Sequence, residues 1–169
     1  MLADQVLNLD IALGEPLQPE DVEVIESDEV TSHGVLVGNI GLLLPRQEVS
    51  ELVKNLAICR LPNTSAWFSG VTSLRGNMIP VFDLHVLFDI AHHGIERRTI
   101  VVGQGERAVA FWVDQMPRLV ALSSDDLMSD APSLPQLMAE QYENYYLREG
   151  QIWVDWNVDG FFSSLGSML

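Results

Sequence analysis

The chain is poor in cysteine and in positive charge, and it has no long apolar run. Its 169 residues contain one cysteine, Cys59, so no disulfide can close within the chain and a cysteine-built metal cage is excluded. Nine lysines and arginines face 24 aspartates and glutamates, a formal net charge of −15. Such an excess repels phosphate backbones and anionic lipid surfaces, so neither nucleic-acid binding nor direct membrane insertion is expected. No stretch approaches the roughly 18 apolar residues that cross a bilayer, and no basic segment precedes an apolar run at the start, so a cytoplasmic protein is expected. A phosphate loop of the Gly-Lys-Ser/Thr type is absent, and Gly103-Gln104-Gly105-Glu106 lacks the third glycine of a dinucleotide fingerprint. No serine stands in a Gly-x-Ser-x-Gly elbow. No cofactor and no catalytic residue are therefore expected.

The chain does have enough apolar residues, 47% of the total, to build one ordered core. The acidity is uneven. Residues 1–33 carry nine carboxylates (Asp4, Asp10, Glu15, Glu20, Asp21, Glu23, Glu26, Asp28 and Glu29) and no base, while residues 34–169 carry fifteen acids against nine bases. With Pro16 and Pro19 interrupting any long helix, 1–33 reads as a mostly extended acidic arm, with a short helix over Leu2–Leu13 as an alternative, and 34–169 reads as the folded domain.

From Gly34 onward, short runs rich in Val, Ile, Leu and Phe are separated by Gly, Pro or Asn. This pattern predicts a mainly β fold with strands near 35–40, 41–45, 49–54, 69–75, 78–82, 97–103, 107–113, 116–122 and 151–155. Gly76 and Asn77 both tolerate positive φ and are expected to form a two-residue turn, opposing Arg75 to Met78. A second hairpin is expected at Gln104-Gly105-Glu106. Brief helices are expected over Asp83–Phe88 and Pro135–Gln141. A terminal one is expected over Asn157–Leu165, where Val158, Phe161, Phe162 and Leu165 share one face behind the cap residue Asn157.

The most specific stretch runs from Leu61 to Leu84. It holds Leu61-Pro62, then Gly70-Val71-Thr72-Ser73-Leu74-Arg75-Gly76, then Pro80-Val81-Phe82-Asp83-Leu84. This resembles the signature of the CheW-like coupling proteins, although Ser73 stands where that family usually has Asn. Val49-Ser50-Glu51 is similar to the family's Val-x-Glu strand, and Ile152-Trp153-Val154-Asp155 to its last strand. The resemblance covers roughly 34–169.

It implies two small five-stranded β-barrels sharing a core, with a groove between them. It also implies a non-enzymatic adaptor that couples the cytoplasmic tip of a methyl-accepting chemoreceptor to the regulatory domain of a CheA-like histidine kinase. The setting would be flagellar chemotaxis or type IV pilus-linked (twitching) signalling, with the adaptor recruited to membrane receptor arrays. By this resemblance Val49, Glu51 and Arg75 line the receptor groove, with Arg75 paired to Glu51, while Gly70, Gly76 and Asn77 shape the hairpin beside it.

From a different class, a β-barrel metal- or ligand-binding protein would use His85, Asp89, His92 and His93, whose imidazole and carboxylate groups suit a metal. Adjacent histidines on a short loop do not easily reach one ion, so no metal is expected. Trp67, Phe68, Trp112, Trp153 and Trp156 read as core, and Cys59 reads as a small buried hydrophobe.

Overall fold

Short β-branched and apolar runs fold as strands whose successive side chains point to opposite faces, and the central ones, such as Ile40–Leu43, are buried on both. The computed structural model of the chain describes residues 28–46, 50–92 and 97–169. The acidic segment 1–27, Val49 and His93 lie outside these residues. Among the described residues ten strands form two five-stranded sheets. The first sheet contains β1 (Val30–Val37), β2 (Ile40–Leu43), β8 (Arg118–Leu122), β9 (Tyr142–Arg148) and β10 (Gln151–Trp156), in the order β8-β1-β2-β10-β9. The second contains β3 (Ser50–Val53), β4 (Phe68–Leu74), β5 (Asn77–Phe82), β6 (Arg98–Val102) and β7 (Val109–Val113), in the order β3-β6-β7-β5-β4. Neighbours pair antiparallel except β2 with β10 and β5 with β7, which run parallel.

Among the described residues three α-helices, α1 (Leu84–Leu87), α2 (Gln136–Ala139) and α3 (Val158–Gly166), accompany the sheets, with short 3-10 turns at Gly105–Arg107 and Ser124–Asp126. Each α-helix falls where the helical spacing predicts it. Asp83 caps α1 by accepting from the N–H groups of His85 and Val86, and Asn157 caps α3 by accepting from Gly160. The face of α3 that carries Val158, Phe161, Phe162 and Leu165 is buried. It packs into a core that also takes Val35 and Leu42 from the first sheet and Phe82, Ile100 and Phe111 from the second. One core therefore joins both sheets, as the expected architecture requires. A smaller cluster of Ile79, Val81, Val101, Ala108 and Ala110 belongs to the second sheet.

Four expectations are corrected. The β4–β5 turn is Arg75-Gly76, not Gly76-Asn77. Leu74 pairs with Asn77 and Ser73 with Met78, and φ is +51° at Arg75 and +82° at Gly76. Positive φ at both central residues is what a hairpin turn matched to strand twist demands, and Asn77 instead starts β5. Strand β1 begins at Val30, so residues 30–33, expected in the arm, pair with β8 from Val30–Leu122 to His33–Leu119.

Strand β9 was not expected. It is an edge strand with Tyr142, Glu143 and Asn144 exposed and a bulge opposite Asp155/Trp156, so it lacks a clean period of two. Finally, Cys59 is exposed. Its backbone bridges to Val71 while Ile58 packs inward, so alternation turns the thiol outward. The same bridge requires Gly70, because a Cβ there would lie 2.2 Å from the Cys59 carbonyl oxygen.

The aromatic residues expected in the core mostly reach it. Phe68, Trp153 and Trp156 are buried. Trp156 donates its indole N–H to the Leu43 carbonyl, tying β10 to β2. Trp67 stacks on Phe82, and the half-buried Trp112 donates to the Ser69 hydroxyl.

Candidate functional site

Strands β3 and β4 are the two opposite edges of the second sheet. Arg75, in the turn after β4, nevertheless reaches Glu51 on β3, its guanidinium Nη2 donating to Oε2 at 2.6 Å. The sheet must curl for its edges to approach this closely, and the ion pair spans the gap. The Arg75 side chain is 72% exposed and that of Glu51 27% exposed. The carboxylate is thus seated against the protein while the cation projects outward, held in one orientation. An exposed pair of this kind contributes only about 0–1 kcal/mol to stability. Its structural value is directional.

Below the pair lies a cleft of about 330 Å³ lined by Leu74, Asn77, Ile79, Val101 and Ala108 as well as Glu51 and Arg75. All the strand residues among these belong to the second sheet. A separate groove of about 430 Å³ runs between the two sheets, lined by Ser32, His33 and Leu44 from one side and Leu52 and Ile100 from the other. Period-two alternation explains the division: successive β3 residues Glu51 and Leu52 face the cleft and the groove respectively. Glu51 and Arg75 are therefore brought together as expected, but they line the mouth of the second sheet and not the groove between the sheets. Gly76 shapes the turn that presents Arg75. Met78, beside it, is 73% exposed.

The histidines form a different constellation from the one their sequence proximity suggests. His85, buried on α1, places Nε2 2.9 Å from Asp114 Oδ2, and His92 places Nδ1 2.8 Å from Asp114 Oδ1. Asp114 follows β7 directly and also accepts from the Gly38 N–H at 2.6 Å. Asp89 stands outside this group, with φ at +53°. On the other side of the His85 ring, Asp83 Oδ1 lies 3.6 Å from Nδ1, and Asp83 Oδ2 accepts from Arg97 at 2.8 Å.

Burial alone would raise the Asp83 carboxyl, but the His85 ring, the Val86 N–H and the Arg97 charge outweigh it and hold the group at about 2. Burial likewise opposes charge on His85, yet the facing carboxylates of Asp83 and Asp114 raise its pKa above the usual histidine value. Asp114 is lowered: against its burial act the hydrogen bonds from His85, Gly38 and His92. Sequence reasoning missed Asp114 because it lies 22 residues beyond His92, and only the β6–β7 hairpin returns it.

No helix among the described residues is long and apolar enough to cross a membrane. Among curated proteins, the chemotaxis protein CheW of Helicobacter pylori is 25% identical over 96 residues, covering 56% of this chain and 58% of that protein. The chemotaxis protein CheW of Klebsiella aerogenes is 30% identical over 87 residues, 50% and 52% of the two chains. Protein PilI of Pseudomonas aeruginosa is 24% identical over 146 residues, 85% and 79% of the two chains. The chain thus spans little more than half the length of the two CheW relatives.

Among solved structures, the scaffolding protein TtCheW of Thermoanaerobacter tengcongensis superposes with a TM-score of 0.62 at 21% identity, over 78% of this chain and 91% of that one. The two share a fold. The family model described as the CheW-like domain matches residues 34–165, from β1 through α3. The paired sheets, the shared core and this match over most of the chain lead to one conclusion: the chain belongs to the CheW-like domain family.

Proposed function

We propose that the chain is a non-enzymatic scaffold that couples the cytoplasmic tip of a methyl-accepting chemoreceptor to the regulatory domain of a CheA-like histidine kinase. The observation that carries this reading is the Arg75–Glu51 pair at the mouth of the second sheet. An arginine held by a carboxylate, but mostly exposed, presents a planar set of donors suited to carboxylates and carbonyls on an incoming helical hairpin. The apolar lining beneath it, with Leu74, Ile79 and Val101, accepts side chains from the same partner. Val49 belongs to this receptor-facing set by resemblance. The kinase domain takes another face of the molecule, so both partners are held at once and a receptor movement biases the kinase through a coupling free energy.

The protein then works at the cytoplasmic side of membrane receptor arrays. The match to PilI, at 24% identity, extends over 146 residues, against 87 to 108 for three CheW relatives at 24–30%, and its greater length supports the type IV pilus-linked branch.

The test is a pairwise pull-down of the chain with a receptor-tip fragment and with the kinase regulatory domain, using Arg75→Asp beside the unmodified chain. Reversing an interfacial charge costs about 2–5 kcal/mol, so receptor affinity should fall at least about 30-fold while kinase binding persists. Receptor binding that survives Arg75→Asp would overturn the assignment of this surface.

A further inference from the structure

His85, His92 and Asp114 come from three separate places: helix α1, the loop that follows it, and the residue just after β7. Their ligating atoms nonetheless lie within 4.8 Å of one another. The two imidazoles meet edge to face, with ring centroids 5.0 Å apart. Both direct a nitrogen at the same carboxylate, one at each oxygen. Two imidazole nitrogens and a carboxylate oxygen are the donor set that divalent transition ions of the zinc class take.

A second feature points the same way. The outer ring nitrogen of His85, Nδ1, is buried without a hydrogen-bond partner, and it faces the Asp83 carboxylate at 3.6 Å. In metal-bound imidazoles the far ring nitrogen donates to a carboxylate; Asp83 is the carboxylate placed to take that bond once His85 shifts by a few tenths of an ångström. Asp83 is itself fixed by Arg97 and by the start of α1. The carboxylate that would complete the outer support is therefore held in place.

We propose that His85 Nε2, His92 Nδ1 and an oxygen of Asp114 bind one divalent transition-metal ion, with zinc the best fit to the donors. Tetrahedral zinc with bonds of about 2.0–2.1 Å spaces its donors about 3.3 Å apart, so the widest separation in the group closes while the imidazole–carboxylate contacts at 2.9 and 2.8 Å open slightly to admit the ion. His92 makes most of that movement, since it sits on a loop and its side chain is 25% exposed, while His85 and Asp114 are fixed by their packing. The exposed side of His92 leaves the fourth position to water.

The ion clamps the seam of the fold. Asp114 donates its backbone N–H to Leu36 of β1 and holds the β1–β2 turn through Gly38, so the site ties α1 and the second sheet to the first. It shares no residue with the Arg75–Glu51 cleft, and it replaces the expected Asp89 with Asp114.

Cobalt(II) is the probe. Titrated into the full chain after chelator treatment, it should saturate at one ion per chain, give the visible absorption of a four-coordinate nitrogen–oxygen site, and be displaced by zinc. His92→Gln keeps a hydrogen-bonding side chain beside Asp114, and circular dichroism would verify its fold. It should weaken cobalt binding at least tenfold, whereas His33→Ala, at an exposed histidine on β1, should leave it unchanged. The proposal is overturned if cobalt shows no saturable single site, or if folded His92→Gln binds it as tightly as the unmodified chain.

Discussion

Replacing Phe162 by alanine tests whether one core holds both sheets. The Phe162 ring lies 4.9 Å from Phe82 and 5.7 Å from Phe111, both in the second sheet, and 5.8 Å from Trp156 in the first, measured between centroids. Its neighbour on α3, Phe161, is 5.2 Å away. Truncation removes the buried ring and leaves a cavity that rigid aromatic neighbours cannot fill, a loss of about 3–5 kcal/mol. For a protein of this size each kcal/mol lowers the melting temperature by about 2–4 °C, so Phe162→Ala should melt about 6–20 °C lower.

Thermal and urea unfolding, followed by tryptophan fluorescence and far-ultraviolet circular dichroism together, measure this. Because the same rings join both sheets, the two signals should change in one coincident transition in the unmodified protein. A loss under about 1 kcal/mol for Phe162→Ala would refute the bridging role of α3. So would two separate transitions in the unmodified chain, one for each sheet.

Two other outcomes follow from the edges of the fold. Deleting residues 1–33 strips the β1 residues paired with β8 and should lower the melting temperature below that of a chain lacking only 1–27; equal effects would contradict the position of β1. Asp155 has a raised pKa, because burial and the nearby Glu143 outweigh the help of Asn144 and Arg46. A carboxyl raised in the folded state favours folding when protonated and loses that contribution as pH rises through its folded value. Asp155→Asn should therefore raise the melting temperature at pH 7, with the gain vanishing below the ordinary aspartate pKa. An unchanged or lower melting temperature at pH 7 would contradict the burial account.

What the sequence discloses depends on how locally each feature is determined. Helix α3 is legible because its cap at Asn157 and its apolar face lie within nine consecutive residues. The signature around Arg75-Gly76 is legible for the same reason, although the turn is placed one residue late. Positive φ falls on Arg75 here, and no local rule favours arginine there over asparagine. Strand β9 escapes notice because an edge strand with three exposed residues at its start has no hydrophobic alternation. Only the Glu149-Gly150 pair, with φ of +52° and +76°, marks its hairpin to β10.

The sites depend more on tertiary pairing. Glu51 and Arg75 lie 24 positions apart and meet only because the sheet curls. Asp114 joins the histidines through a hairpin whose register no spacing rule supplies. The groove between the sheets, in turn, draws on Leu52 where the pattern directed attention to Glu51.

The most direct test of the scaffold reading is simultaneous binding, measured by sedimentation of the receptor-tip fragment and the kinase regulatory domain with and without this chain. Both partners should appear in one complex only when the chain is present, and Arg75→Asp should release the receptor fragment while retaining the kinase domain. If the two partners instead displace one another from the chain, they compete for one surface, and a scaffold that holds both at once is contradicted.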